Sequence, residues 1–271
     1  MKRSSFIILL VLTMIFTAFY VNAGDYSQSP VLNEKVENGE LPSLQERLPD
    51  NPKIIKPRNE MGEYGGTWRA LRSNDLSDTM YEPLVLKDYY GDQKYQPNLA
   101  EDWEISDDKS TYTFKLRKGL KWSDGQSFTS EDIIFWFNAE VKNKDIPPVA
   151  VPGWLKAGGE VVDVRAPDKY TVVFDFAAPH PNFIEETLPS NSWWERGISG
   201  IPPKHYMKQF HKEYADEEEL NKKIKNAGLD HWYQLYQNKW LPSSNEELPV
   251  YYAWKLDTDP ITSEVKIARR N

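Results

Sequence analysis

Residues 95–140 carry the strongest local signals of the chain and read YQPNLAEDWEISDDKSTYTFKLRKGLKWSDGQSFTSEDIIFWFNAE. Large apolar residues alternate with polar ones through residues 111–117, and this period of two predicts a strand with one buried face. Ser123-Asp124-Gly125 then has the composition of a tight turn. Thr129-Ser130-Glu131-Asp132 fits a capping box, in which the first and last side chains bond free amides at a helix start. The segment therefore predicts a strand, a turn and a capped helix over about 130–142.

Shorter signals of the same kind predict further elements along the chain. They are a hairpin closed by residues 107–110, a second hairpin from 161–164 and 170–176, helices after Asp216 and Asp230, and late strands at 254–256 and 265–268. Because strands and helices mix without a regular alternation, the pattern indicates an α+β fold. The adjacent pair Glu185 and Glu186 cannot face each other on a helix and is a poor catalytic pair.

Composition narrows the classes of function. The 271 residues carry a net charge of −8, so nucleic acid is not an expected partner. The sequence has no cysteine, which excludes disulfides, thiolate metal sites and cysteine nucleophiles and predicts no lipoprotein anchor. The four histidines lack short metal-binding spacing, and neither G-x-S-x-G nor H-E-x-x-H occurs. We therefore expect no catalytic residue, no metal site and no cofactor.

Residues 1–23 have the pattern of a secretory signal peptide. Lys2 and Arg3 supply the positive region, residues 6–20 the apolar region, and Val21-Asn22-Ala23 a small-residue cleavage site. An uncleaved membrane anchor is the alternative, but the apolar region is short for a bilayer span. We expect cleavage after this site and a periplasmic location.

Three motifs resemble the signature of the family 5 extracellular solute-binding proteins, the receptors of peptide, nickel and oligosaccharide ABC importers. They are LAEDWEISDD at 99–108, YTFKLRKGLKWSDG at 112–125 and FTSEDIIF at 128–135. Their order and spacing make the resemblance more specific than any one motif alone. It implies a mixed α/β (α+β) fold that is the first lobe of a type II-like periplasmic binding protein with an inserted small α+β subdomain.

The resemblance also implies a domain organisation. Residues 62–79 and 183–271 would form an incomplete main lobe, residues 80–182 would form the inserted subdomain, and residues 24–61 would form a polar leader with one short helical turn. The resemblance covers only the N-terminal part of the family pattern, so we expect the second lobe to be missing. A natural truncation, a split gene and a fragment of a longer protein are all open explanations.

The first group of candidate ligand residues comes from the resemblance. It implies that the loop after the first main-lobe strand borders the ligand cleft, which would bring Arg72, Asn74 and Asp75 near the ligand. A polar loop at a strand end can present amides and charges to a solute. A solvated loop without a ligand is the equally open alternative.

The second group lies in a polar, proline-bounded loop that contains Asn191, Trp193 and Trp194. Tryptophan faces can stack on sugar rings or on peptide side chains at a small cost in conformational entropy. The alternative is that the two tryptophans fill the join between the subdomains. Both groups are therefore predicted ligand residues.

The resemblance implies a substrate-binding component of an ABC importer, or a fragment of one, that is not an enzyme. It would capture an oligopeptide or oligosaccharide in the periplasm as a monomer and deliver it to permease subunits in the inner membrane. Aromatic residues make up 13% of the chain, which favours these ligands over a bare metal ion. A non-functional remnant of a truncated receptor gene is an alternative, and a secreted glycan-binding protein or hydrolase is another. A hydrolase would need two carboxylates at a set separation in a cleft.

Overall fold

The computed structural model describes residues 26–55, 57, 59–60, 62–64, 82–88, 91, 94–147, 151–187, 200–242, 245–252, 254–256 and 268–270. The chain divides into two units, residues 1–45 and 46–271. The predicted signal peptide lies outside the described residues.

The helices are short and spread along the chain. They are α1 (Pro30–Glu37), α2 (Leu44–Arg47), α3 (Ser130–Trp136), α4 (Phe183–Thr187), α5 (Lys204–Met207), α6 (Glu217–Asn226) and α7 (Trp232–Trp240). A π-helical segment at Phe137–Val141 extends α3, and 3₁₀ turns occupy Gly153–Leu155 and Lys208–Phe210. In the first unit, α1 begins with a proline, whose fixed φ suits the first helical position. The prediction of one short turn in the leader is wrong, because α1 has eight residues and α2 follows it.

The strands are antiparallel to their neighbours. They are β1 (Val85–Lys87), β2 (Tyr95–Pro97), β3 (Ala100–Ile105), β4 (Thr111–Leu116), β5 (Lys156–Ala157), β6 (Glu160–Val161), β7 (Asp163–Asp168), β8 (Thr171–Asp175), β9 (Trp254–Leu256) and β10 (Ala268–Arg270). Among the residues that the structure describes, a four-stranded sheet has the order β3-β4-β8-β7, and three two-stranded ribbons pair β1 with β2, β5 with β6 and β9 with β10. Helices and antiparallel strands thus coexist, which confirms the α+β class.

The alternation predicted for β4 is present in the sheet. Tyr112, Phe114 and Leu116 are all buried, as are Val172 and Phe174 on the paired strand β8. Tyr112 lies opposite Phe174, and Phe114 lies opposite Val172. The rings of Phe114 and Phe174 meet edge to face with their centroids 5.8 Å apart. The predicted half-buried strand is confirmed, and its buried face is the centre of the first hydrophobic core.

Helix α3 begins at the predicted capping box. The carboxylate of Asp132 accepts a hydrogen bond from Thr129 N at 2.9 Å, and Thr129 Oγ1 accepts from Glu131 N at 3.3 Å. Thr129 has the extended backbone typical of an N-cap residue. The start of the helix is therefore confirmed, whereas its last turn is π-helical rather than α-helical.

The side chains of α3 and its π segment are divided between two cores. Ile133 and Phe137 belong to the first core, while Phe135 and Ala139 belong to a second core. The remaining buried members of this second core come from the helical region that follows, and they are Met207, Phe210, Leu220, Leu235, Tyr236 and Leu248. One helix thus joins the sheet to the helices α5–α7.

A buried histidine lies where the π segment meets the second core. Glu213 N donates to Nδ1 of His211 at 3.2 Å, and this leaves the ring hydrogen on Nε2. Nε2 in turn lies 3.0 Å from the carbonyl oxygen of Ala139, to which it donates. Burial lowers the pKa of His211, so the ring is neutral at physiological pH.

The chain ahead of the sheet is fastened to it by a buried arginine. Arg117 is 7% exposed, and its Nε donates to the carbonyl oxygen of Asn98 at 2.7 Å while its guanidinium also donates to the carbonyl oxygen of Asn51. Asp50 N donates to the carbonyl oxygen of the residue that precedes Gly119. Gly119 has a φ of +79°, and a Cβ there would lie 2.9 Å from the carboxylate of Asp50. A larger residue at Gly119 would therefore push this segment off the sheet.

Two predicted boundaries near the end of the chain differ from the structure. Helix α7 starts after His231 rather than after Asp230, because Oε1 of Gln234 accepts from both backbone amides at 3.0 and 3.1 Å. The strand predicted at 265–268 pairs as β10 over Ala268–Arg270, and residues 265–267 lie outside the described residues. The predicted cap by Asp216 on α6 is confirmed. The division into a main lobe, an inserted subdomain and a polar leader stays a prediction.

Candidate functional site

All six candidate ligand residues lie in two segments outside the described residues. These residues are Arg72, Asn74, Asp75, Asn191, Trp193 and Trp194. The structure does describe the chain that follows the first segment and the chain on both sides of the second. Those flanking residues show what holds the ends of the two segments.

The flanking residues of both segments lie in the same core. Leu84, shortly after the first segment, is 1% exposed, and Phe183 and Ile184, shortly before the second, are also buried. Ile201, which follows the second segment, belongs to this first core as well. Because interiors are close-packed, these flanking residues are themselves fixed in position.

A carboxylate joins the two flanking regions directly. Glu185 on α4 accepts from Lys87 Nζ at 2.9 Å and from the hydroxyl of Tyr95 at 2.5 Å. These two donors stand on β1 and β2, the hairpin that follows the first segment. The hydrogen bond from Lys87, followed by that from Tyr95, lowers the pKa of Glu185, so the group is ionised at neutral pH. Glu185 thus connects the chain at 183–187, which precedes the second segment, to the chain at 82–97, which follows the first.

The chain after the second segment is held by an aromatic group. Ile201 N donates to the hydroxyl of Tyr251 at 3.4 Å. The ring of Tyr251 packs against Trp122 and Phe128, with centroids 5.0 and 5.2 Å away. Ser123 N donates to the carbonyl oxygen of the residue before Tyr251 at 2.7 Å. The turn predicted at Ser123 therefore helps to hold Tyr251, and through it Ile201, in place.

Asp132 has a second role besides capping α3. Its Oδ1 accepts from Lys204 N at 3.0 Å, where α5 begins. The residue is 4% exposed, and burial raises its pKa, opposed by the hydrogen bonds from Thr129 N and Lys204 N. One buried carboxylate therefore caps two helices whose starts are far apart in the sequence.

A groove of about 330 Å³ runs beside α3. Four residues at helical spacing, Glu131, Ile134, Phe135 and Asn138, form one wall, and residues 164–166 of β7 form the other. Lys204 and Tyr214 complete the lining. It lies within the second unit and combines an apolar floor with a charged rim.

Other clusters in the described part of the chain have structural explanations. Asp108 accepts from Ser106 Oγ at 2.6 Å and from Ser110 N at 3.1 Å, so the acidic turn at 107–110 is held by its own hydrogen bonds. Within the described ranges, no group of three or more histidine, aspartate or glutamate residues is placed to hold a metal ion. Nor does any helix of those ranges have the length and apolar content that a membrane span requires.

Residues 94–228 match the family model described as bacterial extracellular solute-binding proteins, family 5, middle region. This match contains the capped helix, the four-stranded sheet and helix α6. The chain belongs to the family 5 solute-binding proteins. The family is one of substrate-binding proteins rather than catalysts.

Curated relatives of the chain differ in the solutes that their names record. The periplasmic alpha-galactoside-binding protein of Rhizobium meliloti is 27% identical over 85% of this chain, which spans 34% of that relative. A putative ABC transporter peptide-binding protein of Brucella ovis is 34% identical over 48% of the chain, which spans 23% of it. The chain thus spans about a third or less of the length of these relatives.

Solved structures of two binding proteins share the fold. The chain superposes on an oligopeptide-binding protein OppA with a TM-score of 0.82 and 38% identity, over 91% of this chain and 38% of that one. It superposes on the periplasmic binding protein MelB of Agrobacterium fabrum, in complex with stachyose, with a TM-score of 0.60 and 26% identity, over 91% of this chain and 37% of that one. The expected fold, part of a periplasmic binding protein, is confirmed.

Three features of the site were missed by sequence reasoning. The sequence shows Glu185 only as half of an acidic pair, whereas its two partners are 98 and 90 residues away. The second role of Asp132 and the groove between α3 and β7 also depend on distant contacts. No local pattern of residue types signals any of them.

Proposed function

We propose that this protein is the substrate-binding component of an ABC importer, or a part of one. The observation that carries the proposal is the likeness to the oligopeptide-binding protein OppA, at 38% identity over 91% of the chain. An identity of 38% over 91% of the chain supports a shared role as well as a shared fold. The structure-based likeness to MelB adds that the same frame serves receptors with other solutes.

An oligopeptide is the favoured solute, and an oligosaccharide is the second candidate. The higher identity to OppA favours a peptide. A relative aligned over 85% of the chain is named an alpha-galactoside-binding protein, and the MelB complex contains stachyose. Both ligand types suit aromatic faces, which pack against side chains or sugar rings.

The solute would contact the two segments that carry the candidate residues, which are Arg72, Asn74, Asp75, Asn191, Trp193 and Trp194. The described contacts support this, because Glu185 bonds to Lys87 and Tyr95 and so ties together the chain next to both segments. Two segments with fixed ends are a suitable basis for a preformed ligand face.

The remaining assignments follow from the same role. We propose that the protein is exported by a signal peptide that is cleaved after Ala23, acts as a monomer in the periplasm and hands its solute to permease subunits. It would catalyse no reaction itself. An intact mass measured before and after export tests the cleavage, and a chemical cross-link to co-expressed permease subunits tests the partner.

Calorimetric titration of the purified protein tests the ligand class. The injected ligands would be a defined mixture of short peptides and, separately, stachyose. We expect saturable binding of one class without any turnover. Trp193→Ala should weaken it by about tenfold or more, as truncation of a buried aromatic anchor does. The matched control, Trp103→Ala on β3, should bind normally.

Saturable binding of neither class by a protein with a cooperative melt would refute the proposal. Release of amino acids or monosaccharides during the titration would point to an enzyme instead. Equal affinities of the Trp193→Ala and Trp103→Ala variants would leave the receptor role intact and remove the second segment from the site.

A further inference from the structure

The groove beside α3 has an apolar floor that is held in a fixed shape. Its floor is built by Ile134 and Phe135 on the helix and by Val164 on β7. Tyr214 is 43% exposed at the rim, yet its ring meets Phe135 and His211 edge to face, with centroids 5.1 and 5.0 Å away. Because buried rings already hold the Tyr214 ring in place, a ligand that packs against it would cost little further side-chain entropy.

The charges at the rim do not cancel. Lys204 Nζ lies 2.8 Å from the carboxylate of Glu131, and this hydrogen bond lowers the pKa of Glu131. These two side chains therefore neutralise each other at neutral pH. Arg165, on the opposite wall, makes no ion pair or side-chain hydrogen bond with any residue that the structure describes. Arg165 thus adds to the lining of the groove a positive charge that has no such partner.

The amide of Asn138 adds a neutral polar group. Its side chain is exposed at the groove and has no hydrogen-bond partner among the described ranges of the chain. An amide can donate to an oxygen or accept from a hydroxyl, so it complements the guanidinium across the apolar floor. Polar groups that are few and placed above an apolar surface are typical of small-molecule sites.

We propose that this groove is a ligand site, additional to the proposed solute site, for a small carboxylic acid with an aromatic or branched aliphatic body. The planar fork of Arg165 matches both oxygens of a carboxylate. The ring of Tyr214 and the floor residues cover the apolar body. A volume of about 330 Å³ is near the lower end of ligand pockets, which suits a molecule the size of one amino acid.

The chemistry excludes two other occupants. A phosphate or sulfate ion would leave the apolar floor in contact with water, so a bare anion gains little from this shape. An ammonium ligand would face the unpaired guanidinium and be repelled. The ligand must therefore combine one negative charge with an apolar body.

The probe for the test is 3-phenylpropionate, titrated into the full chain and followed by nuclear magnetic resonance or calorimetry. We expect saturable binding with one site. The uncharged analogue 3-phenyl-1-propanol should bind about tenfold more weakly, because it lacks the charge-assisted hydrogen bonds. The amine 3-phenylpropylamine should not bind measurably.

Matched variants locate the site. Arg165→Gln should weaken 3-phenylpropionate by about tenfold and leave the alcohol unaffected. Lys222→Gln makes the same change in net charge on α6, where the side chain is 68% exposed, and it should have no effect. Tyr214→Ala should weaken the acid and the alcohol alike, while Tyr214→Phe should weaken neither.

Equal binding of the acid and the alcohol would overturn the charge argument, and so would an unchanged affinity of Arg165→Gln. No saturable binding by a protein with a normal melting temperature would overturn the site itself. The outcome is independent of the proposed importer function, because peptide or stachyose binding is measured with other ligands and other variants.

Discussion

Replacement of Asp132 tests whether one carboxylate holds two helix starts. Its two oxygens accept from Thr129 N at 2.9 Å and from Lys204 N at 3.0 Å, and the residue is 4% exposed. Asp132→Ala would leave two backbone donors without an acceptor in a place that water reaches poorly. A lost cap costs about 1–2 kcal/mol, so the loss of two predicts a fall of about 2–4 kcal/mol in the free energy of unfolding.

The cost has an opposing contribution. Burial raises the pKa of Asp132, so the ionised carboxylate is held at a desolvation penalty that the substitution removes. Asp132→Asn keeps the size of the side chain and one carbonyl acceptor, and it should therefore lose about half as much stability as Asp132→Ala. The expected order of stability is the natural protein, then the asparagine variant, then the alanine variant.

The assay is urea unfolding followed by tryptophan fluorescence and circular dichroism, with the slope m compared between variants. Asp216→Ala is the matched control, because Asp216 is exposed and caps only α6, through Glu219 N at 3.0 Å. It should cost about 1 kcal/mol. If Asp132→Ala costs no more than Asp216→Ala at equal m, then Asp132 does not act as a double cap and the reasoning is wrong.

Three further predictions concern the other buried or bridging groups. Burial holds the pKa of His211 below its ordinary value of 6.5, so the unfolded chain takes up a proton before the folded chain does as the pH falls. The free energy of unfolding should therefore be highest above about pH 6.5 and should decrease below it. His211→Gln should flatten this part of the profile when urea unfolding is measured against pH. Glu185→Ala should change the free energy of unfolding by less than about 1 kcal/mol, because the ion pair with Lys87 is partly exposed. The same variant should bind the solute more weakly in calorimetry. An unchanged affinity would count against a role of Glu185 beside the two segments. Arg117→Met should release the segment around residue 51 from the sheet and speed trypsin cleavage after Lys53, whereas an unchanged digestion rate would contradict the fastening.

Features that depend on neighbouring residues were predictable from the sequence. The strand at β4 follows from alternation, and the start of α3 follows from four consecutive residue types, because both are determined within one or two turns of chain. The cap of α7 shows the limit of such reasoning. Asp230 is the residue type that favours a cap, yet Gln234 reaches back to the amides of both Asp230 and His231, and the helix begins one residue later.

Features that depend on distant residues were not predictable. The π segment after Trp136 contains Ala139, whose carbonyl oxygen accepts a hydrogen bond from His211. These two residues are 72 positions apart in the sequence. Glu185 and its partners are likewise brought together only by folding. The six candidate ligand residues stay predictions, since the described contacts reach only the chain beside them.

The position of α3 between two cores has a consequence for how a receptor of this kind can move. Separating the sheet from helices α5–α7 would expose Ile133 and Phe137 on one side or Phe135 and Ala139 on the other. It would also break the hydrogen bond that the backbone amide at the start of α5 donates to the carboxylate on α3. Packed cores have discrete arrangements and resist gradual deformation. Any closure around a solute must therefore bend the protein outside this body, and the groove should keep its shape. A ligand that binds equally well to two states cannot shift their balance, so saturating solute should leave the affinity for 3-phenylpropionate unchanged.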